Sequence, residues 1–115
     1  MGRCGVTVRG GLWSRSEIDA ARLESGENYQ QFLTVPALSA GTYALAAGEA
    51  DLQTPHREDE IYHVLGGHGR IEMDGADHPV GPGDTVFIAA GVEHRFHSIT
   101  EDLTLLVVFA PAHSG

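Results

Sequence analysis

The stretch TPHREDE, residues 54 to 60, holds an imidazole at His56 and a carboxylate four residues later at Glu60. A second imidazole, His94, stands near the head of a later apolar segment, EHRFHSI. Two imidazoles and a carboxylate are a donor set for a divalent transition metal. Imidazole suits Zn, Cu, Fe and Ni, and two histidines with one carboxylate and open positions make the pattern of non-haem Fe(II) sites. A metal so held polarises a substrate oxygen or activates dioxygen. No nucleophilic Ser or Cys constellation accompanies the three residues, and Cys4, near a terminus, is not read as catalytic.

These side chains need a scaffold that turns them to one side. In a strand, residues of equal parity share a face. Glu60 then shares a face with Tyr62 and Val64, and His94 with Phe96, while Arg95 and His97 point the other way. His56 has the parity of Glu60, so the two read as neighbouring ligands on one strand. A lone buried carboxylate is costly, so Glu60 should be paired or bound to a metal.

Strand signals are dense after Gly48. EIYHVLGG alternates, Asp74-Gly75 is a favoured two-residue hairpin turn, and GPGD at 81–84 is another turn. TVFIAA, EHRFHSI and LTLLVVFAP read as further strands, the last apolar on both faces as in a strand covered on both sides. Upstream, 32–35 and 42–46 read as strands broken at Pro36 and Gly41. SRSEIDAARLESG predicts a short helix with Ser16 as N-cap, Gly26 as its stop and an apolar stripe of Ile18, Ala21 and Leu23. Seven or eight short strands divided by glycine turns make an all-β sandwich or barrel.

The 115 residues fit one domain, large enough to fold without staples, and the single cysteine forbids an internal disulfide. A net charge of −9 argues against nucleic acid and anionic membranes as partners. No apolar run approaches the ~18 residues of a membrane span. The start, MGRCGVTVRGGLW, lacks the apolar core of a signal peptide, and Val6 stands where a myristoylation signal needs Ser or Thr. The cytoplasm is the expected compartment.

The chain resembles the cupins. Their first motif, G-x5-H-x-H-x3,4-E-x6-G, aligns with Gly48, Thr54, His56, Glu60 and Gly67, every spacing matching. Their second, G-x5-P-x-G-x2-H-x3-N, aligns with Gly83, Ala89, Gly91, His94 and Ser98. Thr54 replaces a metal-binding histidine, and Ala89 and Ser98 replace a proline and an asparagine. The resemblance covers about residues 42 to 110, with 1–41 as an N-terminal extension to a single domain spanning 1–115. It implies a double-stranded β-helix, or jelly-roll barrel, with a small molecule bound inside. It also implies one divalent metal (Fe, Mn, Zn, Ni or Co) on His56, Glu60 and His94. Thr54 is a poor ligand beside imidazole; a water, or Gln53 if the backbone bulges, is the alternative for that position.

Cupins span dioxygenases, isomerases, epimerases, decarboxylases, lyases and non-catalytic binders, so the reaction stays open. One reading is a metalloenzyme of oxygenase or isomerase/lyase type. A second is a binding or sensing module, and a third a metal-free cupin in which His56, Glu60 and His94 form a hydrogen-bonded cluster. Phe87, Phe96, Val64 and Met73 are candidates for an apolar cavity wall. Tyr62 reads as barrel wall, its hydroxyl able to orient a substrate. Glu58 and Asp59 read as solvated charges, with Arg57 as their partner or a ligand contact. His63, His68, His78 and His97 read as surface or interface residues, His113 as a tail residue, and Trp13 and Tyr29 as cover for the barrel. Ile61 and Leu65 lie on the face opposite Glu60, and Leu106 and Val108 lie opposite Leu105 and Val107; one set fills the barrel and the other needs cover, which a homodimer would supply.

Overall fold

A computed structural model describes residues 9–52 and 54–114. One helix, α1 (Arg15–Ser25), precedes six strands: β1 (Tyr29–Val35), β2 (Leu38–Leu45), β3 (Asp59–Met73), β4 (Ala76–Val80), β5 (Thr85–Ile88) and β6 (His94–Ala110). The expectations about Cys4 and Gln53 fall outside the described residues.

Two long antiparallel strands organise the sheet. β6 runs along one edge of β3 from Asp59 to Met73. β5 pairs the first part of β3's other edge and β4 the last part, while β2 and then β1 extend the sheet beyond β6. Register shifts between Val64 and Arg70 bend the β3–β6 pair in the middle. Side chains from both halves, Val64 and Leu105 on one and Ile71 and Phe96 on the other, therefore meet in a single core. The sheet curls into a jelly-roll without closing. Tyr62, Phe96, Ile71 and Leu105 are fully buried there. Burying each such side chain is worth about 1.5–3 kcal/mol.

The Asp74-Gly75 hairpin forms as its sequence suggests, with φ of 50° and 81° and Met73 paired to Ala76. The four glycines aligned with the two cupin motifs, Gly48, Gly67, Gly83 and Gly91, all have left-handed φ. At Gly67 the requirement is twofold: φ is 92°, and a Cβ would lie 2.1 Å from the carbonyl oxygen of Asp102. Ser98 also has positive φ, 50°. Asparagine tolerates that conformation better than most residues, which accounts for its place in the motif.

Several local expectations need correction. The helix begins two residues earlier: Ser14, not Ser16, is the N-cap, because Ser14 and Glu17 form a reciprocal capping box. Gly26 closes the helix as expected. Leu23 does not join the buried stripe and is 70% exposed; Ile18 is the helix's buried residue. Gly41 does not break a strand but lies inside β2, where the Tyr29 ring covers it. EHRFHSI and LTLLVVFAP are one strand, β6, so the strands among the described residues number six, two of them long. The strand expected at 32–35 forms as β1, which pairs with β2.

Candidate metal centre

β3 enters the sheet at Asp59, and its alternation sends Glu60, Tyr62 and Val64 inward, all buried. β6 begins at His94 and sends His94 and Phe96 to the same interior. His56 reaches the site differently from the expected common strand: it lies in the loop before β3. The loop returns to the sheet because the His56 carbonyl accepts from the Gly91 N–H at 2.8 Å.

His56, Glu60 and His94 offer three ligand atoms lying within 4.8 Å of one another. Glu60 Oε1 is 3.3 Å from His94 Nε2 and 3.9 Å from His56 Nε2. The Glu60 and His94 side chains are each 1% exposed. Neither Glu60 oxygen has a well-aligned hydrogen-bond donor among the described residues. A buried carboxylate flanked by two imidazoles yet lacking a well-aligned donor is a poor end state for a polar cluster and a good socket for a cation. The residues present thus fit a divalent metal.

The imidazoles are tuned in opposite directions. Burial is the largest influence on His94 and works against its charge. The Glu60 carboxylate, the Val92 carbonyl and the charges of Glu60 and Asp51 together outweigh it, so His94 titrates above the ordinary imidazole value. His56 titrates below it, chiefly through burial. The Val92 carbonyl accepts a hydrogen bond from His94 Nδ1–H at 2.9 Å. In the neutral ring this leaves the Nε2 lone pair facing Glu60. The Tyr62 hydroxyl lies 3.1 Å from the same Nε2.

A cavity of about 200 Å³ adjoins the cluster. His56, Glu60 and Tyr62 form its polar end, and Tyr29, Tyr43, Val107, Phe109 and His113 its walls. The Tyr43 hydroxyl donates to buried Asp51 at 2.9 Å, and Asp51 also accepts from the Phe96 N–H. Burial first, and then the Asp51 charge, push the Tyr43 phenol upward.

Of the wall candidates, Val64 and Phe96 are in the core and Met73 packs against it. Phe87 is on the outside, 59% exposed, because its parity in β5 opposes that of Val86 and Ile88. Thr54 is exposed and does not line the cavity. Arg57 is exposed as well. Arg95 and His97 face outward, Arg95 3.6 Å from Glu72 and His97 2.6 Å from Asp77.

Three residues near the site carry more than their expected roles. Glu58 is buried rather than solvated, because His113 Nδ1 and the Ser114 hydroxyl, 3.1 and 2.7 Å away, hydrogen-bond its carboxylate. His113 is a wall residue rather than a tail residue: its ring stacks on Phe109 at 4.4 Å and meets His56 edge-on at 5.2 Å. Tyr29 lines the cavity rather than merely covering the barrel. The parity of β6 carries Phe109 inward, and that was the available signal that chain just beyond it would stay near the site. Nothing in the sequence spacing pairs Glu58 with residues 113 and 114.

A family model described as a cupin domain matches residues 41–109. An uncharacterised protein of Streptomyces coelicolor is 44% identical over 98 residues, covering 85% of this chain and 93% of that protein. An acireductone dioxygenase of Rhodopseudomonas palustris is 49% identical over 45 residues, 36% of this chain and 27% of that enzyme. KdgF from a Halomonas species superposes with a TM-score of 0.68 at 21% identity, covering 75% of this chain and 79% of that one, a likeness of fold alone. With its motif residues in register and more than half its length matched, the chain belongs to the cupin family.

Proposed function

We propose that this cupin binds one divalent transition metal through His56, Glu60 and His94 and acts on a small molecule in the adjoining cavity, as an enzyme of oxygenase or isomerase/lyase type. The observation that carries the reading is the Glu60 carboxylate, 1% exposed, set between two imidazole nitrogens without a well-aligned hydrogen-bond donor among the described residues. A bound divalent metal would polarise a substrate oxygen or activate dioxygen.

The protein's own groups prepare the site. The Val92 carbonyl selects the His94 tautomer with Nε2 available. Tyr62, packed edge-on against Phe96 at 4.9 Å, keeps its hydroxyl beside that nitrogen. Phe109, Val107 and the tyrosine rings give the cavity apolar walls that exclude water from a reacting molecule. The resemblance of 45 residues to an acireductone dioxygenase supports oxygenase chemistry as one member of the class.

A second reading is a binding module with the same metal and no turnover. It is favoured by Thr54, which is exposed and leaves three donors where the family motif offers a fourth. We further propose a cytoplasmic homodimer, the pairing supported by the apolar outer face of the sheet around Ile61 and Phe87. Among the described residues, no helix is long and apolar enough to cross a membrane.

Metal content, measured on protein purified without chelating resin and then dialysed in turn against Zn, Mn, Co, Ni and, under reducing conditions, Fe(II), tests the central reading. Near-stoichiometric binding that His94→Ala abolishes is the expected result. Folded protein that never retains a metal at these residues would sink it.

A further inference from the structure

Beside the three candidate ligands, the Tyr29 hydroxyl is a buried polar group that the reading above does not use. It has no hydrogen-bond partner among the described residues, although its ring lines the metal-side cavity. Leaving a buried hydroxyl unpaired is costly, and native structures rarely do so without reason. The ring is also deliberately seated. It lies over Gly41 of the neighbouring strand, where a Cβ would come within 2.6 Å of the Tyr29 ring edge and 2.7 Å of the Gln30 carbonyl. Any larger residue at position 41 would push the ring off its seat. Phe109 and His113 meet the ring edge-on at 6.3 and 6.4 Å and fix its tilt.

The charges around the cavity are one-sided. Glu60 lines it, Asp51 is buried behind Tyr43, and Glu58 is buried behind His113. The chain's cations are seven arginines, and none of the described ones lines the cavity. One divalent metal beside Glu60 leaves a single net positive charge, with further carboxylates close by. That balance accommodates a neutral or singly charged ligand and opposes a dianion. At about 200 Å³ the space falls below the ~300 Å³ at which sites for drug-sized ligands begin.

We propose that Tyr29 anchors the ligand by donating a hydrogen bond to one of its oxygens while another faces the metal, and that the ligand is a small oxygen-bearing molecule with no more than one negative charge. This rests on the metal reading of His56, Glu60 and His94. Burial, and then the charge of Glu60, push the Tyr29 phenol up to about 12, so it stays protonated and a donor near neutral pH.

Oxamate and oxalate test the idea, because they match in size and differ by one negative charge. Each is titrated into Co(II)-loaded wild type and Tyr29→Phe, with binding read from the cobalt visible spectrum and metal content measured in parallel. Wild type should bind oxamate at least about fivefold more tightly than oxalate. Tyr29→Phe should retain its cobalt while losing about fivefold to tenfold in oxamate affinity, the worth of one hydrogen bond. Equal oxamate affinity in the two proteins, or tighter binding of oxalate, with cobalt retained, would overturn the proposal and leave the metal reading standing. Failure of both folded proteins to hold cobalt, or Zn, Mn, Ni or Fe(II) offered in its place, would defeat the metal reading and the proposal together.

Discussion

Glu60 Oε1 lies 3.3 Å from His94 Nε2, with both side chains almost completely buried. A metal and a proton therefore compete for the same nitrogen. His94 titrates above the ordinary imidazole value and His56 below it. Metal affinity should fall as pH drops, beginning above pH ~6.5 where His94 takes its proton and continuing below it as His56 follows. Calorimetric titrations between pH 8 and 5.5 check this, and affinity that stayed flat across that range would contradict it.

The same shifts set the stability of the metal-free protein. His94, with its raised value, contributes stability that is fully present below pH ~6.5 and is lost as pH rises through its folded-state value. His56, with its lowered value, acts the other way: its contribution is present above pH ~6.5 and is lost as pH falls through its folded-state value. NMR titration of the two rings should show His94 protonating first on acidification. The reverse order would contradict this account of the site.

Substitutions should separate ligands from bystanders. His94→Ala should remove the metal or weaken it by at least about tenfold, the loss typical of a disrupted metal shell. His97→Ala, which breaks an outward contact with Asp77, should leave occupancy unchanged. Thr54→Ala should also leave it unchanged, because Thr54 is exposed. Thr54→His should raise affinity if the loop can bring the new imidazole inward. Metal analysis of the four proteins reads all of these outcomes together.

Gly67→Ala should destabilise the fold by about 3 kcal/mol, combining left-handed strain with backbone overlap. The overlap is with the Asp102 carbonyl across the bend of β3 and β6. A urea midpoint within error of wild type would show that the bend can relax.

Phe87 and Ile61 sit opposite each other across β5 and β3 on the outer face, 59% and 41% exposed, and Ile61 also pairs with Val108. If this stripe is the dimer contact, light scattering should give dimer mass for wild type and monomer mass for Phe87→Ser. Monomer mass for wild type at micromolar concentration would remove the dimer.

Much of this architecture was legible because strands alternate. Parity alone turned Glu60, Tyr62, His94 and Phe96 inward, and motif spacing singled out the glycines that take left-handed φ. Parity failed where its premise did: His56 reaches the site from a loop, so its agreement with Glu60 was coincidental to any strand. The helix start was misplaced because Ser14 and Ser16 are both good caps, and the reciprocal bond with Glu17 decides between them. Glu58, Tyr29 and His113 were misread for one common reason. Their environments come from chain far away in sequence, Glu58 being held by residues 55 and 56 positions later.

His113 lines the cavity, and the segment 111–114 that carries it is held by the His113 N–H on the Ser39 hydroxyl, by two hydrogen bonds to Glu58, and by the His113–Phe109 stack. The arrival and departure of a molecule are thereby linked to how often this short segment peels away. Local openings of segments held by a few contacts cost less free energy than global unfolding and recur on nanosecond to microsecond scales or slower, depending on what ties them down. Glu58→Gln, which weakens two ties, should speed hydrogen exchange at the His113 amide. It should also speed both arrival and departure of a bound molecule, leaving the equilibrium constant nearly where it was. The segment thus acts on residence time rather than on affinity.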